Sequence, residues 1–214
     1  MKLAISTKAL LAWLWAFTFF ASALTGYNMR KILYASLSMN GLVLVQEGRT
    51  TPPPVEVMQD FMLRVKRAGN LVLGRVSASP ILSSETLRVS LSPAKIVVVS
   101  ETLPTHNHDA DHLVARSPED ALAQLASAGF DTAFIGGGAI VYNAFLERGL
   151  VDALIINLCP EIASNGNFLT SRPAFPTHFK LVEIKQLSRD VTQLHYTRDA
   201  SGNGGPKKGF VTVL

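Results

Sequence analysis

The sequence predicts an α/β protein: a central, mainly parallel sheet covered by helices on both faces and closed at its C-terminal end by an antiparallel hairpin. From Lys31 onward, short strand-like apolar runs alternate with longer helix-like ones, the pattern of strands joined by crossover helices. Ile96-Val97-Val98-Val99 places four β-branched residues in succession, which suits a strand buried on both faces and therefore parallel neighbours. Lys180 to Leu187 and Val191 to Thr197 flank Ser188-Arg189-Asp190 and read as the hairpin.

The elements follow in order. Ile32 to Leu37 reads as the first strand, Val55 to Arg67 as a helix, Leu71 to Leu73 as a strand and Lys95 to Ser100 as the next. Ser117-Pro118-Glu119-Asp120 supplies an N-cap hydroxyl, a proline at the first helical position and acids in the first turn, so it opens a helix to about Ser127, with Gly129 beyond. Thr132 to Ile135 is a strand, Ala139 to Arg148 a helix followed by Gly149, and Asp152 to Cys159 a strand. Arg198 to Lys208 is rich in Gly and Asn and reads as a loop before a last strand over Phe210 to Leu214.

Composition narrows the function classes. Of 214 residues 48% are hydrophobic and 17% charged, which gives one packed domain over 29–214 and excludes a disordered chain. The net charge of +4 comes from scattered Lys and Arg, which argues against nucleic acid and for one small anionic ligand. A single cysteine, Cys159, excludes an internal disulfide and reads as a buried strand residue.

Residues 1–28 stand apart from that domain. Lys2 and Lys8 precede an apolar run from Ala9 to Ala21 that closes in Ala21-Ser22-Ala23, the grammar of a signal peptide. An uncleaved membrane anchor is a second reading, although the run is shorter than the ~20 residues of a spanning helix. A third is an upstream extension that is never translated, because Met29 opens a natural first strand. The domain would be cytoplasmic under the third reading and exported or membrane-anchored under the others.

The chemistry gathers at strand ends. In Phe134-Ile135-Gly136-Gly137-Gly138-Ala139 a strand runs through three glycines into a helix, where backbone amides without Cβ atoms can receive a diphosphate. The spacing is not that of a Gly-x-Gly-x-x-Gly fingerprint, which disfavours an ordinary Rossmann site. Leu73-Gly74-Arg75-Val76-Ser77 sets a guanidinium and a hydroxyl beyond another strand, Ser100 ends a third, and Ser38, Asn40 and Gly41 follow the first. Ligands of parallel sheets collect at such C-terminal ends.

In this order, Ser-x-Asn-Gly, Leu-Gly-Arg, Val-Val-Val-Ser, Gly-Gly-Gly, Gly149-Leu150-Val151-Asp152 and Pro160, the chain resembles the dihydrofolate-reductase superfamily. The branch it is most similar to is the reductase domain of the bifunctional riboflavin-biosynthesis deaminase-reductase. The resemblance spans roughly Met29 to Thr197 and implies a dihydrofolate-reductase-like three-layer α/β/α fold. It also implies NADPH as hydride donor, a homodimer, and hydride transfer to a small pyrimidine or pteridine, as in 5-amino-6-(5-phosphoribosylamino)uracil reduction, without metal. By the same resemblance Gly136, Gly137, Gly138 and Ala139 form the diphosphate-binding turn. Gly74, Arg75 and Ser77 form a second nucleotide-binding turn that reaches a 2′-phosphate, and Ser100 lies beside the adenosine ribose. Ser38, Asn40 and Gly41 face substrate.

Several positions depart from the family pattern. Asn40 replaces an Asp and cannot act as a base, so no catalytic residue is assigned. Ile135 stands where riboflavin-pathway reductases carry a substrate-holding Glu. Glu101 sets negative charge beside the expected 2′-phosphate and favours NADH. The register where folate reductases grip the pterin with a carboxylate holds Met58, with Glu56 and Asp60 nearby. A nucleotide-binding module without chemistry, a dihydrofolate reductase proper and an exported binding protein therefore stand as alternatives. His106, His108, Asp109, Asp111 and His112 crowd one segment between strands, which reads as a solvated loop rather than a metal site.

Overall fold

The computed structural model describes residues 29–44, 53–104, 112–170 and 177–199. The leader, the strand expected over Phe210 to Leu214, and His106, His108, Asp109 and Asp111 lie outside the described residues; His112 opens a strand.

Among the described residues the chain runs β1 (Arg30–Leu37), α1 (Val55–Ala68), β2 (Asn70–Gly74), α2 (Arg75–Leu82), α3 (Glu85–Leu91), β3 (Lys95–Val99) and β4 (His112–Ala115). It continues through α4 (Pro118–Ser127), β5 (Thr132–Gly137), α5 (Ala139–Glu147), β6 (Ala153–Leu158), β7 (Phe179–Gln186) and β8 (Thr192–Arg198). The sheet order is β4-β3-β2-β5-β1-β6-β8-β7. Every pairing from β4 to β6 is parallel, and β8 pairs antiparallel with both β6 and β7. This is the three-layer arrangement the sequence predicts, with the β-branched run Ile96 to Val99 in β3.

Strand alternation sorts the core into two layers. Leu33, Val72, Val97 and Ile135 point to the face covered by Leu122 and Leu125 of α4 and Phe145 of α5. Tyr34, Leu71, Leu73, Val98 and Phe134 point to the face covered by Val57 and Val65 of α1, Ala78 of α2 and Leu91 of α3. The α4 cap forms as read, with the Ser117 hydroxyl accepting from the Asp120 amide at 3.1 Å. Helices α2 and α3 are corrections to the sequence reading, which left Arg75 to Leu91 without helices. No described helix is long and apolar enough to cross a membrane.

Adjacent parallel strands send their helices in opposite directions at one point. β2 leads through Gly74 into α2 on one face, and β5 leads through Gly138 into α5 on the other. A crevice opens where such neighbours diverge, and the ends of β2 and β5 touch there, Leu73 opposite Gly137.

Candidate functional site

Two cavities meet at that crevice. One, about 390 Å³, is a groove lined by Gly74, Arg75, Val76, Ser77 and Val99 on one side and Gly138, Ala139, Ile140 and Val141 on the other, with Asn167 at its edge. It therefore brings together five of the residues expected to hold a nucleotide: Gly74, Arg75, Ser77, Gly138 and Ala139. Both helices that open onto it, α2 and α5, begin at a glycine N-cap with no side-chain cap bond, so their first amides and positive dipole ends face the groove uncovered. The close approach needs bare backbone. A Cβ on Gly138 would lie 2.7 Å from the Ser77 hydroxyl, and one on Gly74 would lie 3.0 Å from Val141 Cγ2. Gly137, in the same turn, has φ +130, a conformation side chains rarely adopt. The Arg75 side chain makes no ion pair among the described residues.

The other cavity, about 210 Å³, lies under α1, α2 and α3. Its wall is Tyr34 and Ser36 of β1, Val57, Met58, Phe61 and Met62 of α1, Ser77, Pro80 and Ile81 of α2, Leu87 and Leu91 of α3, with Pro53, Leu73, Gly136 and Tyr142. Ser77 lines both cavities, and Gly136 brings the glycine turn into this one; a Cβ there would press on Leu71 at 2.6 Å and Phe61 at 3.0 Å. Tyr34, Phe61 and Phe134 stack at tilted angles with centroids 5.5–5.8 Å apart, fixing the floor.

The remaining expected residues sit elsewhere. The Ser38 hydroxyl accepts from the Leu42 amide at 2.9 Å, and Gly41 makes the turn at φ +83. The Asn40 side chain clasps the Ala163 backbone through two bonds, 2.9 Å and 3.0 Å. The polar atoms of these residues serve the loop, and none of the three lines either cavity. Ser100 caps its own turn by accepting from the amides of Thr102 and Leu103, while its carbonyl accepts from Arg116; Val99 before it reaches the groove. Ile135 corrects a further expectation. It is fully buried in the α4/α5 layer, so a carboxylate at that position would point away from the apolar cavity; the neighbour facing the cavity is Gly136.

Sequence reading missed the cavity wall and the polar row behind it. Ser36, Asn157 and Gln193 are register partners across β1, β6 and β8. Asn157 Nδ2 donates to Ser36 Oγ at 3.2 Å, and Gln193 Nε2 donates to Asn157 Oδ1 at 2.7 Å. Beyond them Gln193 donates to Asp60 at 2.8 Å and accepts from Arg64 at 3.0 Å, while Arg64 pairs with Asp60 at 2.7 Å. Burial alone would raise the Asp60 carboxyl, but the bonds from Arg64 and Gln193 and the Arg64 charge outweigh it and hold the group below its usual range. Burial and Arg64 push the His195 imidazole down despite Glu183 beside it. Burial pushes both Tyr34 and Tyr142 up, so neither phenol ionises at neutral pH. A signal was present: polar residues inside the apolar strand runs at Ser36 and Asn157 need buried partners.

The RibD C-terminal domain family model matches residues 38–193, well over half of the chain. This chain belongs to the RibD C-terminal domain family. That membership supports a reductase of the riboflavin-pathway type, and so an oxidoreductase, as its general class. No curated protein matches. Among solved structures, a Shewanella sp. PV-4 protein assigned by name to riboflavin biosynthesis is 21% identical, with a TM-score of 0.65 over 80% of this chain and 99% of that one. The Thermotoga maritima diaminohydroxyphosphoribosylaminopyrimidine deaminase/5-amino-6-(5-phosphoribosylamino)uracil reductase is 15% identical, with a TM-score of 0.62 over 85% of this chain and 60% of its own. Dihydrofolate reductase from Enterococcus faecalis, in complex with NADP(H), is 18% identical, with a TM-score of 0.60 over 81% and 98%. These likenesses show the dihydrofolate-reductase-like fold.

Proposed function

We propose that this domain is a pyridine-nucleotide reductase that binds NADPH, with NADH as the competing donor, along the groove and transfers hydride to a small pyrimidine or pteridine substrate in the apolar cavity, as in 5-amino-6-(5-phosphoribosylamino)uracil reduction. One observation carries the reading: two uncapped helix N-termini and a side-chain-free turn open onto a groove that shares Ser77 with an apolar cavity. The residues fit a dinucleotide. Gly137, Gly138 and Ala139 offer backbone amides to a diphosphate, and Arg75 offers a free guanidinium to a 2′-phosphate. Exposed Val76 and Ile140 give the groove apolar edges for flat rings. When bound, the nicotinamide would supply hydride to an electrophilic carbon of the substrate, the C1′ of a phosphoribosylamino group in the riboflavin-pathway case or a ring C=N carbon in a pteridine, with a proton from water completing the reduction. The chain's own part is positioning and exclusion of water, because no Asp, Glu, His, Lys or Arg among the described residues lines the apolar cavity.

That same lack of a proton-transferring group favours the second reading, a nucleotide-binding module without chemistry. A homodimer is also proposed, supported by β7, which ends the sheet among the described residues and exposes Leu181, Val182 and Ile184 there. A cytoplasmic setting is proposed with it, because NADPH is supplied in the cytosol; residues 1–28 translated as a signal would make the domain exported or membrane-anchored instead.

Calorimetric titration tests the nucleotide reading. The chain is expected to take one NADPH, and Arg75→Gln to weaken NADPH about tenfold while leaving NADH within about twofold, the loss of one charge-assisted bond. Absence of binding by either nucleotide below millimolar refutes it. Substrate-dependent loss of nicotinamide absorbance then separates enzyme from module.

A further inference from the structure

We propose that Asn167 is a further nucleotide-contacting residue, whose side-chain carboxamide holds the hydroxyls of the ribose in the nicotinamide half of the dinucleotide. This role rests on the nucleotide reading of the groove.

Strand order gives the groove two ends. β3, β2, β5 and β1 lie side by side, and Val99, which lines the groove, closes β3 at one end of that row. At the other end Asn167 is fastened to the chain leaving β1, its carbonyl accepting from the Val43 amide at 2.8 Å. Three strand spacings, about 14 Å, separate β3 from β1. A ligand lying along the groove therefore meets Val99 and Asn167 at opposite ends.

The apolar cavity tells the two ends apart. Its wall takes residues from β1, β2 and β5 and, among the described residues, none from β3. A nicotinamide that reaches substrate there enters past Ser77 from the β1 end, which leaves the adenosine half and its 2′-phosphate toward Arg75 and Val99. Asn167 lines the groove and not the cavity, so it meets the part of the dinucleotide that precedes the ring, its ribose.

The local chain is built to hold this position. Gly166 turns at φ 148, a conformation side chains rarely adopt, and Phe168 pairs with Leu42 in an isolated antiparallel bridge, so Asn167 is fixed from both sides. Met39 donates its amide to the Glu161 carbonyl at 2.8 Å, and Asn40 clasps Ala163 further back in the same loop. Loss of the Asn40 clasp thus leaves Asn167 held by Val43 and the Phe168 bridge. With its carbonyl taken by Val43, Asn167 offers the groove its side chain. A carboxamide both accepts and donates, the complement of neighbouring hydroxyls that each do the same. The Arg75 guanidinium and the first amides of α2 and α5 only donate, and so suit phosphate oxygens.

The test titrates the full chain and its Asn167→Leu variant, close to asparagine in size, with three ligands that share the 2′-phosphate. These are NADPH; 2′-phospho-ADP-ribose, which keeps the second ribose without nicotinamide; and adenosine 2′,5′-bisphosphate, which lacks both. The variant is expected to bind the first two about tenfold more weakly, the loss of two neutral hydrogen bonds, and the third within about twofold of the unsubstituted chain. An equal loss for all three, or no loss for NADPH, overturns the proposal. A loss for NADPH alone overturns it as well, by moving the contact to the ring. Because the ligands are compared on one protein, a general loss of fold cannot produce the expected pattern. Failure of the unsubstituted chain to bind any of the three below millimolar overturns the nucleotide reading itself, whereas binding with the wrong pattern overturns only the role of Asn167.

Discussion

Gly138→Ala isolates the role of the bare backbone at the groove. Gly138 has φ −87, ordinary for alanine, so the substitution carries no left-handed strain, unlike one at Gly137 with φ +130. The new methyl would lie 2.7 Å from Ser77 Oγ, the one heavy atom within 4 Å, so Ser77 must swing aside at a folding cost of about 1 kcal/mol. The larger effect falls on the ligand. A phosphate oxygen must come within about 2.7–2.9 Å of an amide nitrogen to form a charge-assisted bond, and the methyl intrudes on that approach. Losing one such bond costs about 1.5–3 kcal/mol, so NADPH should bind about 10- to 150-fold more weakly. Calorimetry gives the affinity and thermal unfolding gives the stability. The double variant Ser77→Ala/Gly138→Ala removes the clash and is expected to regain stability without regaining affinity. Native affinity in Gly138→Ala would refute the placement of the diphosphate, and restored affinity in the double variant would move the cause to the displaced hydroxyl.

Two further outcomes concern residues off the groove. Asn40→Ala breaks both bonds to Ala163 and is expected to destabilise the chain by about 1 kcal/mol in thermal unfolding while NADPH affinity stays within about twofold; a large loss of affinity instead would restore Asn40 to the ligand. Lowering pH should destabilise the fold. His195 titrates below its ordinary 6.5 in the folded chain, so the unfolded state binds the proton first and the stability present above 6.5 is lost as pH falls through the folded value. The carboxyl of Asp60 acts in the same direction from 3.8 downward. Thermal unfolding across pH should show the decline, and His195→Gln should flatten its first part; a slope unchanged in that variant contradicts the assignment.

The sequence shows the sheet more fully than the site. Parallel strands such as Ile96 to Val99 announce themselves because burial on both faces leaves a continuous β-branched run. The glycine turn and Leu-Gly-Arg turn were also legible, since closeness of backbone to ligand requires residues without side chains, and five of their residues do meet in one groove. Helices α2 and α3 were not, because each is shorter than the window in which helical periodicity can be counted, and Pro80 and several serines interrupt them. The register of Ile135 and Gly136 was invisible for another reason: which neighbour faces which layer depends on pairing with β1 and β2, a tertiary fact. So does the row from Ser36 to Asp60, whose key bonds join β1, α1, β6 and β8 across more than 100 residues.

Hydrogen–deuterium exchange of the full chain with and without NADPH tests the two-cavity account most directly. Protection is expected to concentrate at the backbone amides of residues 74–77 and 137–141, the first turns of α2 and α5. Protection confined to other segments, or exchange unchanged at saturating NADPH, would contradict it.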